Sequence, residues 1–493
     1  MGRFVERLTL STPLAGSFPI STGARSRFRL GGLHLSERKL LLVAGDLVFL
    51  GLALLAALLL RGLFLFGEMH GQPVLRWYWW LVLWALWLPL AIIVRCYDLR
   101  YAARPLESAA KAMILAGGAS ALYLVVPVVS APLTRSRLAW FLFALFAMVG
   151  EGLWRLAYAK LIRQPNLSRR ALVIGAGEAG RTLVETIDAL GSAAGVEVLG
   201  FVDEGAAPQG QEVADRPILG TWERLPSLIQ QMQVDELVVA VESPQIAEPL
   251  LNILERCWGQ GIAIRPVQLY FEEITGAVMV QHIGTNLFVL MNGQDACYQR
   301  LWGAVRRVID IFVGLVGLAL LGPLTPLIAL AIYLDSPGPI LYRQRRVGRG
   351  GRTFWLAKFR SMVPNAESNG AVWAKADDGR ITRVGRWLRK THLDELPQVW
   401  NLLTGTMTLI GPRPERPEFV RQLDRLLPYY AIRHSVKPGL TGWAQVRYRY
   451  GNSVDDALMK LQYDLYYVKH RGPLLDMLIL LETIRVVLTL QGI

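Results

Sequence analysis

Cysteine is nearly missing from this chain. The three that occur, Cys96, Cys257 and Cys297, are scattered, with no CxxC and no even-numbered framework. That excludes a disulfide scaffold and a zinc site, and it fits a reducing compartment. Acid is short as well: 39 Asp and Glu face 53 Lys and Arg, a net charge of +14. No nucleic-acid-binding motif accompanies this charge, and 53% hydrophobic residues with mean hydropathy +0.32 argue against a nucleic-acid binder. Two readings remain: a membrane protein with cytoplasmic faces, or a handler of phosphorylated substrates. No Y-x-x-x-K dyad occurs, so short-chain dehydrogenase or epimerase chemistry lacks its usual base. Residues 1–35 are basic and polar without a signal-peptide core, so no cleaved leader is expected.

Long apolar runs are abundant. Leu40–Leu60, Trp77–Val94, Ala112–Val129 and Leu138–Leu153 each reach, or nearly reach, the length that spans about 30 Å of hydrocarbon. Trp77, Tyr78, Trp79 and Trp80 read as an interfacial belt. Basic clusters mark the cytoplasmic side: Arg25, Arg27, Arg29, Arg38 and Lys39; then Arg95, Arg100, Arg104 and Lys111; then Arg155, Lys160, Arg163, Arg169 and Arg170. Four spans with both ends inside satisfy this pattern. Asp46 lies within the first span, where it is expected to pack or to reach the interface.

ALVIGAGEAG (Ala171–Gly180) follows, an apolar strand running into Gly175, Gly177 and Gly180 in G-x-G-x-x-G, then a helical pattern. Such glycines let backbone amides approach a phosphate at a helix N-terminus. Asp203 ends the second strand at the spacing of a ribose-binding acid. This is a Rossmann-like opening, and half of a dinucleotide fold fits before about residue 285. The same glycines also serve a turn that binds nothing.

Val308–Leu334 is long enough to cross a membrane, yet Gly322, Pro323 and Pro326 interrupt it and both flanks are basic. A helix that dips in, kinks at Gly322–Pro323 and returns satisfies the charge rule and the proline chemistry. The alternative is a kinked fifth span. From Arg300 to Lys390, sixteen Lys and Arg stand against five acids. Some of these cations suit lipid headgroups and some suit phosphates. Arg413, between prolines in GPRPERP, is aimed by a restricted backbone.

Within this basic region, RKTHLDELPQVWN (Arg389–Asn401) sets Asp394 and Glu395 side by side. Pro397 belongs in a first helical turn, so a helix begins near Asp394. An N-cap explains one carboxylate. A diphosphate substrate with Mg²⁺ explains both, one acid on the metal and one as nucleophile.

The motifs DSPGPILYRQRRVGRGG (Asp335–Gly351), KFRSM (Lys358–Met362), RKTHLDELPQVWNLLTGTMTLIGPRP (Arg389–Pro414), KPGLTGWAQV (Lys437–Val446) and YDLYYVK (Tyr463–Lys469) complete the pattern. With them the chain resembles the large bacterial polyprenyl-phosphate hexose-1-phosphate transferases, or monotopic phosphoglycosyl transferases, which initiate exopolysaccharide or O-antigen synthesis. The resemblance implies a cytoplasmic tail (1–38), a four-helix membrane region (39–162), a Rossmann-like cytoplasmic domain (170–285) and a mixed, mostly helical catalytic domain (298–493) with a re-entrant helix (308–334). It implies Asp394 as nucleophile, Glu395 as Mg²⁺ ligand and Arg413 on phosphate. Lys358, Arg360, Arg389, Lys437 and Asp464 are the expected substrate-binding positions. The implied partners are a UDP-sugar, polyprenyl phosphate and membrane lipids of the bacterial inner membrane. Which hexose and which polysaccharide stay open, as does the oligomeric state, a homodimer included. Two residues depart from the family: Gly322 replaces the serine of a Ser-Pro helix break, which passes the backbone-capping part to Thr325, and His392 stands where serine is common. The competing class is a membrane-anchored, nucleotide-sensing regulator with a structural acid pair.

Overall fold

The computed structural model describes residues 28–30, 33–35, 37–66, 77–98, 102, 104–125, 137–162, 169–191, 194–204, 211–241, 247–282, 296–364, 366, 378–448 and 453–489. Most of the expected tail, Arg25, Arg27, Arg100 and Arg163, and the end of the expected third span (126–129) lie outside these residues.

A short antiparallel pair, β1 (Phe28–Leu30) and β2 (Leu33–Leu35), precedes four helices: α1 (Glu37–Phe66), α2 (Trp77–Ile93), α3 (Pro105–Val125) and α4 (Arg137–Ile162). They pack around Leu50, Leu54, Leu83, Trp87 and Phe143. Lys39–Leu60 and Trp140–Lys160 are long and apolar enough to cross a membrane; Trp77–Ile93 is apolar but shorter. Helix α3 carries Glu107 in its first turn and Lys111 one turn further on, which makes it less apolar than α2.

Arg155 corrects the reading of the flanks. It lies inside α4 and is fully buried, with Nη2 2.5 Å from Asp46 Oδ2 and Nη1 donating to Cys96 O (2.7 Å). The indoles of Trp87 and Trp154 also donate to Asp46, at 3.3 and 3.1 Å. The acid of the first span therefore packs, and this arginine is its counter-ion. A buried carboxylate requires one.

A sheet domain follows: β3 (Arg169–Ile174), α5 (Glu178–Leu190), β4 (Val196–Val202), β5 (Glu212–Val213), β6 (Arg216–Gly220), α6 (Leu225–Met232), β7 (Glu236–Val239), α7 (Glu248–Gly259), β8 (Ala263–Pro266) and α8 (Val267–Thr275). The strand order is β5-β6-β4-β3-β7-β8, parallel except at the β5–β6 edge. Helices cover both faces, Leu183 and Tyr270 on one side and Leu225 and Leu250 on the other. Burial on both faces is why these strands read as continuous apolar runs.

The last region opens with α9 (Ala296–Asp335), which is long and apolar enough to cross a membrane by length and composition alone. An antiparallel ribbon, β9 (Leu341–Val347) and β10 (Thr353–Phe359), is followed by α10 (Arg383–Lys390), a 3₁₀ turn (Leu393–Gln398), α11 (Val399–Thr404) and β11 (Thr408–Ile410). Then come α12 (Pro417–Leu426), β12 (Gly439–Thr441) parallel to β11, α13 (Trp443–Arg447), α14 (Val454–His470) and α15 (Pro473–Leu488).

Helical backbone runs unbroken through Gly322–Pro323 in α9, so the expected kink is not a break in the helix. The Thr325 hydroxyl donates to Leu321 O (2.7 Å), in the turn the prolines weaken. Both halves of α9 rest on the same body. Near its start, Asp310 accepts from Leu409 N (2.7 Å). In the middle, Gly317 lets Val399 press in, where a Cβ would lie 2.6 Å from Val399 Cγ1. Near its end, Ile328 and Ile332 pack on Phe359 and Leu388. The other flank exposes Val308, Phe312, Leu315, Leu327 and Leu330.

The sheet domain is not separate from this region. Val278 and Val280 share a core with Trp443, Leu458 and Tyr466. The Trp443 indole donates to Gly276 O (2.8 Å), and buried Glu272 pairs with Lys469 (2.8 Å) and with His470.

Candidate active site

One cavity of about 1240 Å³ gathers Lys358, Arg360, Arg389, Asp394, Glu395 and Arg413 on its wall. Local structure explains how each arrives there. Strand β10 delivers Lys358 and ends beside Arg360. The DSPGP motif ties three elements together: Asp335 Oδ2 accepts from Val384 N (2.9 Å) at the start of α10, and Ser336 O accepts from Arg360. Gly338 adopts φ 138°, a backbone conformation that side-chain-bearing residues rarely adopt, and this turn brings the chain close to Arg360. Arg389, at the end of α10, donates from Nε to Ser361 Oγ (2.9 Å).

His392 turns the chain with a left-handed backbone, φ 58°, and sits at the N-cap position of the 3₁₀ turn. Its Nε2 is buried without a hydrogen-bond partner among the described residues, and the ring lines the cavity. Asp394 and Glu395 lie in the first turn, as Pro397 requires, but Asp394 is not the cap. No hydrogen bond reaches its carboxylate among the described residues, although it is buried. A structural acid would be bonded.

The two acids are held in opposite states. Glu395 Oε1 accepts from Lys358 Nζ at 2.5 Å and from Arg413 Nη2 at 2.7 Å. Burial alone would raise its carboxyl, but the Arg413 and Lys358 cations outweigh burial and hold it well below the usual carboxylate range. Asp394 has the same cations nearby but no such bonds. Burial pushes its carboxyl above the ordinary value, the Lys358 charge opposing and the Glu395 charge adding. Glu395 is thus a fixed anion and Asp394 a poorly solvated, unengaged one.

Mg²⁺ suits this donor set. Both acids offer hard oxygens, and a hard divalent cation takes one or two carboxylates with substrate phosphates. No group of three or more His, Cys, Asp or Glu with metal-binding spacing occurs among the described residues, so substrate oxygens must complete any such site.

Of the two remaining expected substrate positions, one falls outside the cavity and one borders it. Lys437 does not line the cavity; its neighbours are Arg307, Asp310 and Arg349. Asp464 borders the cavity but is buried in an ion pair with Arg433 (2.7 Å). Arg433 escaped the sequence reading. The signal was available in YDLYYVK, where an acid among apolar residues needs a buried cation.

In the sheet domain, Gly175 adopts φ 103°, and a Cβ at Gly180 would lie 2.5 Å from Gly175 O, so both glycines serve the strand–turn–helix geometry. Asp203 Oδ2 accepts from Ala176 N (3.1 Å), which turns this acid toward the glycine turn itself.

Residues 301–490 match the family model described as bacterial sugar transferase, and residues 108–267 match one described as CoA-binding domain. The chain is 38% identical over 275 residues to the UDP-N-acetylgalactosamine-undecaprenyl-phosphate N-acetylgalactosaminephosphotransferase of Aeromonas hydrophila, covering 56% of this chain and 62% of that one. It is 32% identical to the UDP-glucose:undecaprenyl-phosphate glucose-1-phosphate transferase of Xanthomonas campestris pv. campestris, covering 55% and 56%. The match thus spans less than two thirds of either relative. It is 38% identical to the exopolysaccharide production protein PSS of Rhizobium leguminosarum bv. phaseoli, covering 36% of this chain and 93% of that one. The sequence motifs and these matches agree: the chain belongs to the bacterial sugar transferase family.

Proposed function

We propose that the protein transfers a sugar-1-phosphate from a UDP-sugar to undecaprenyl phosphate in the bacterial cytoplasmic membrane, releasing UMP. The helices α1–α4 form a four-span anchor, the sheet domain is a Rossmann-like domain on the cytoplasmic face, and α9 is a re-entrant helix. The observation that carries this reading is the divided state of the acid pair, Glu395 fixed by Lys358 and Arg413 and Asp394 left unbonded beside it.

Asp394 attacks the β-phosphorus of the UDP-sugar. Its Oδ–P bond forms as the bond from phosphorus to the UMP oxygen breaks, leaving an aspartyl phospho-sugar. A phosphate oxygen of undecaprenyl phosphate then attacks the same phosphorus, and the Asp394 bond breaks to give undecaprenyl diphosphate-sugar. Lys358, Arg389 and Arg413 supply positive charge to phosphate oxygens, and the cavity fixes the line of attack. Bound Mg²⁺, held by Glu395 with the diphosphate oxygens, would neutralise charge gathering on the leaving group. The apolar flank of α9 gives the acceptor's chain a route from the membrane.

Intact-mass spectrometry after brief exposure to UDP-glucose or UDP-N-acetylgalactosamine, without lipid acceptor, tests the scheme. The wild type should carry a sugar-phosphate adduct on Asp394, and Asp394→Asn should carry none. Glu395→Gln should turn over slowly and recover in part at raised Mg²⁺. An adduct elsewhere, or normal turnover by Asp394→Asn, contradicts the assignment.

A further inference from the structure

Arg413 reaches Glu395 from a loop that has few ways of being held. Pro412 and Pro414 flank it and have no N–H to donate, so the loop can be fixed mainly through its carbonyls. Each carbonyl in turn is taken. Gly439 N donates to Pro412 O (2.9 Å), Arg346 Nη1 donates to Pro414 O (3.0 Å), and Val347 N donates to Glu415 O (2.9 Å). The carbonyl of Arg413 itself receives Arg433 Nη2 at 3.0 Å.

Arg433 is buried and held on three sides. Its Nε and Nη2 both donate to Asp464 Oδ2, at 3.1 and 2.7 Å, and Nη1 donates to the Tyr430 hydroxyl at 2.7 Å. Asp464 is only 2% exposed. A buried guanidinium fixed by a carboxylate and a phenol keeps little freedom, so the donor it turns to Arg413 O is set in space.

We infer that Arg433, fixed by Asp464 and Tyr430, is a positioning residue that sets the Arg413 guanidinium against Glu395 through the Arg413 backbone. Asp464 then acts on the reaction through Arg433 rather than by touching substrate. Both residues border the cavity, but their polar atoms are spent on each other, on Tyr430 and on the loop, and a small displacement of that loop moves the cation that fixes Glu395 beside the nucleophile. An ångström of misplacement at such a group acts on the transition state more than on ground-state binding.

The role rests on the transfer reaction proposed above, and Arg433→Lys in the full chain separates the two. Lysine keeps a charge for Asp464, but its single nitrogen lacks the planar fork whose three nitrogens reach Asp464, Tyr430 and Arg413 O. In detergent, with UDP-sugar and undecaprenyl phosphate, kcat for UMP release should fall about 10- to 100-fold while KM for the UDP-sugar stays within about threefold. The unfolding temperature should hold within a few degrees. In an Arg413→Lys background the same substitution should cost little more, because the residue it acts through is already altered. Should Arg433→Lys fail to fold, Asp464→Asn carries the test, since it keeps an acceptor for the guanidinium yet loosens the fork; a loss confined to kcat is again expected. Wild-type kcat in a folded variant, a loss that appears equally in KM, or full additivity with Arg413→Lys would overturn the role. A wild-type protein that releases no UMP from any UDP-sugar would instead sink the transfer reaction.

Discussion

Asp394 pays in stability for its readiness. A buried carboxylate whose acid form is favoured binds its proton more tightly folded than unfolded. Its contribution is fully present below the ordinary aspartate value of 3.8 and is lost as pH rises through the folded value, because burial costs the ionised form part of its solvation. Glu395 has the opposite sign: its carboxyl is held low, so it stabilises the fold above the ordinary glutamate value of 4.5 and loses that contribution only as pH falls toward its folded value. Asp394→Asn should therefore melt higher than wild type at pH 7.5, and the gap should narrow as pH is lowered toward the ordinary aspartate value of 3.8. Thermal melts in detergent at the two pH values check this, and an Asn variant that melts lower at pH 7.5 contradicts it. That the acid pair, Lys358, Arg360, Arg389 and Arg413 belong together was legible in short motifs, and the fold brings them to one cavity. Lys437 and Asp464 were legible as important but not as to place. Which side of a loop a residue faces depends on pairings such as Arg433–Asp464 and Arg413–Arg433, which join positions far apart in sequence.

Helix α9 is where sequence reading of an element reached its limit. Composition identified an apolar run that prolines interrupt, and Pro323 suggested a sharp kink. In the fold, the helix continues, with Thr325 bonded back to Leu321 O. What the sequence could not show is the line of contacts from Asp310 through Gly317 to Ile332 along one body. A spanning helix cannot keep its beginning, middle and end on the same soluble body, whereas one lying in the membrane face can. Cysteines introduced at Pro337 and at Glu185 should accordingly react with an impermeant maleimide from the same side of sealed vesicles, the side of the sheet domain. Labelling of the Pro337 site from the opposite side would make α9 a fifth span. A related limit applies to α4, where Arg155 looked like a positive flank. Only the packing of α4 on α1 brings it to Asp46.

At the scale of the whole molecule, a core shared by both regions runs across the expected boundary at residue 298. The motifs all follow Tyr298, which suggests that the sheet domain is dispensable. Yet Val278 and Val280 are buried with Trp443 and Tyr466, and Glu272 supplies the anion for Lys469 and His470 on α14. Apolar residues such as those of Val278–Val280 carry no periodicity that tells which body they join, so the sequence leaves the crossing unmarked. Helix α14 also holds Asp464, so the docked face and the support of Arg413 share one element. Burial lowers the tolerance for losing Glu272's side: removing one partner of a buried ion pair costs about 3 kcal/mol, and the exposed apolar core adds to that. A chain that begins at residue 298 should therefore be aggregation-prone and should release UMP far more slowly than the full protein. If the chain is instead split within 283–295 and the two parts are produced together, they should co-purify as one complex and recover most of the turnover. Co-purification from detergent and UMP release measured on both preparations decide the matter. A lone C-terminal part as stable and as active as the full chain would show that the docking contributes nothing to catalysis and that the boundary read from the motifs is the functional one.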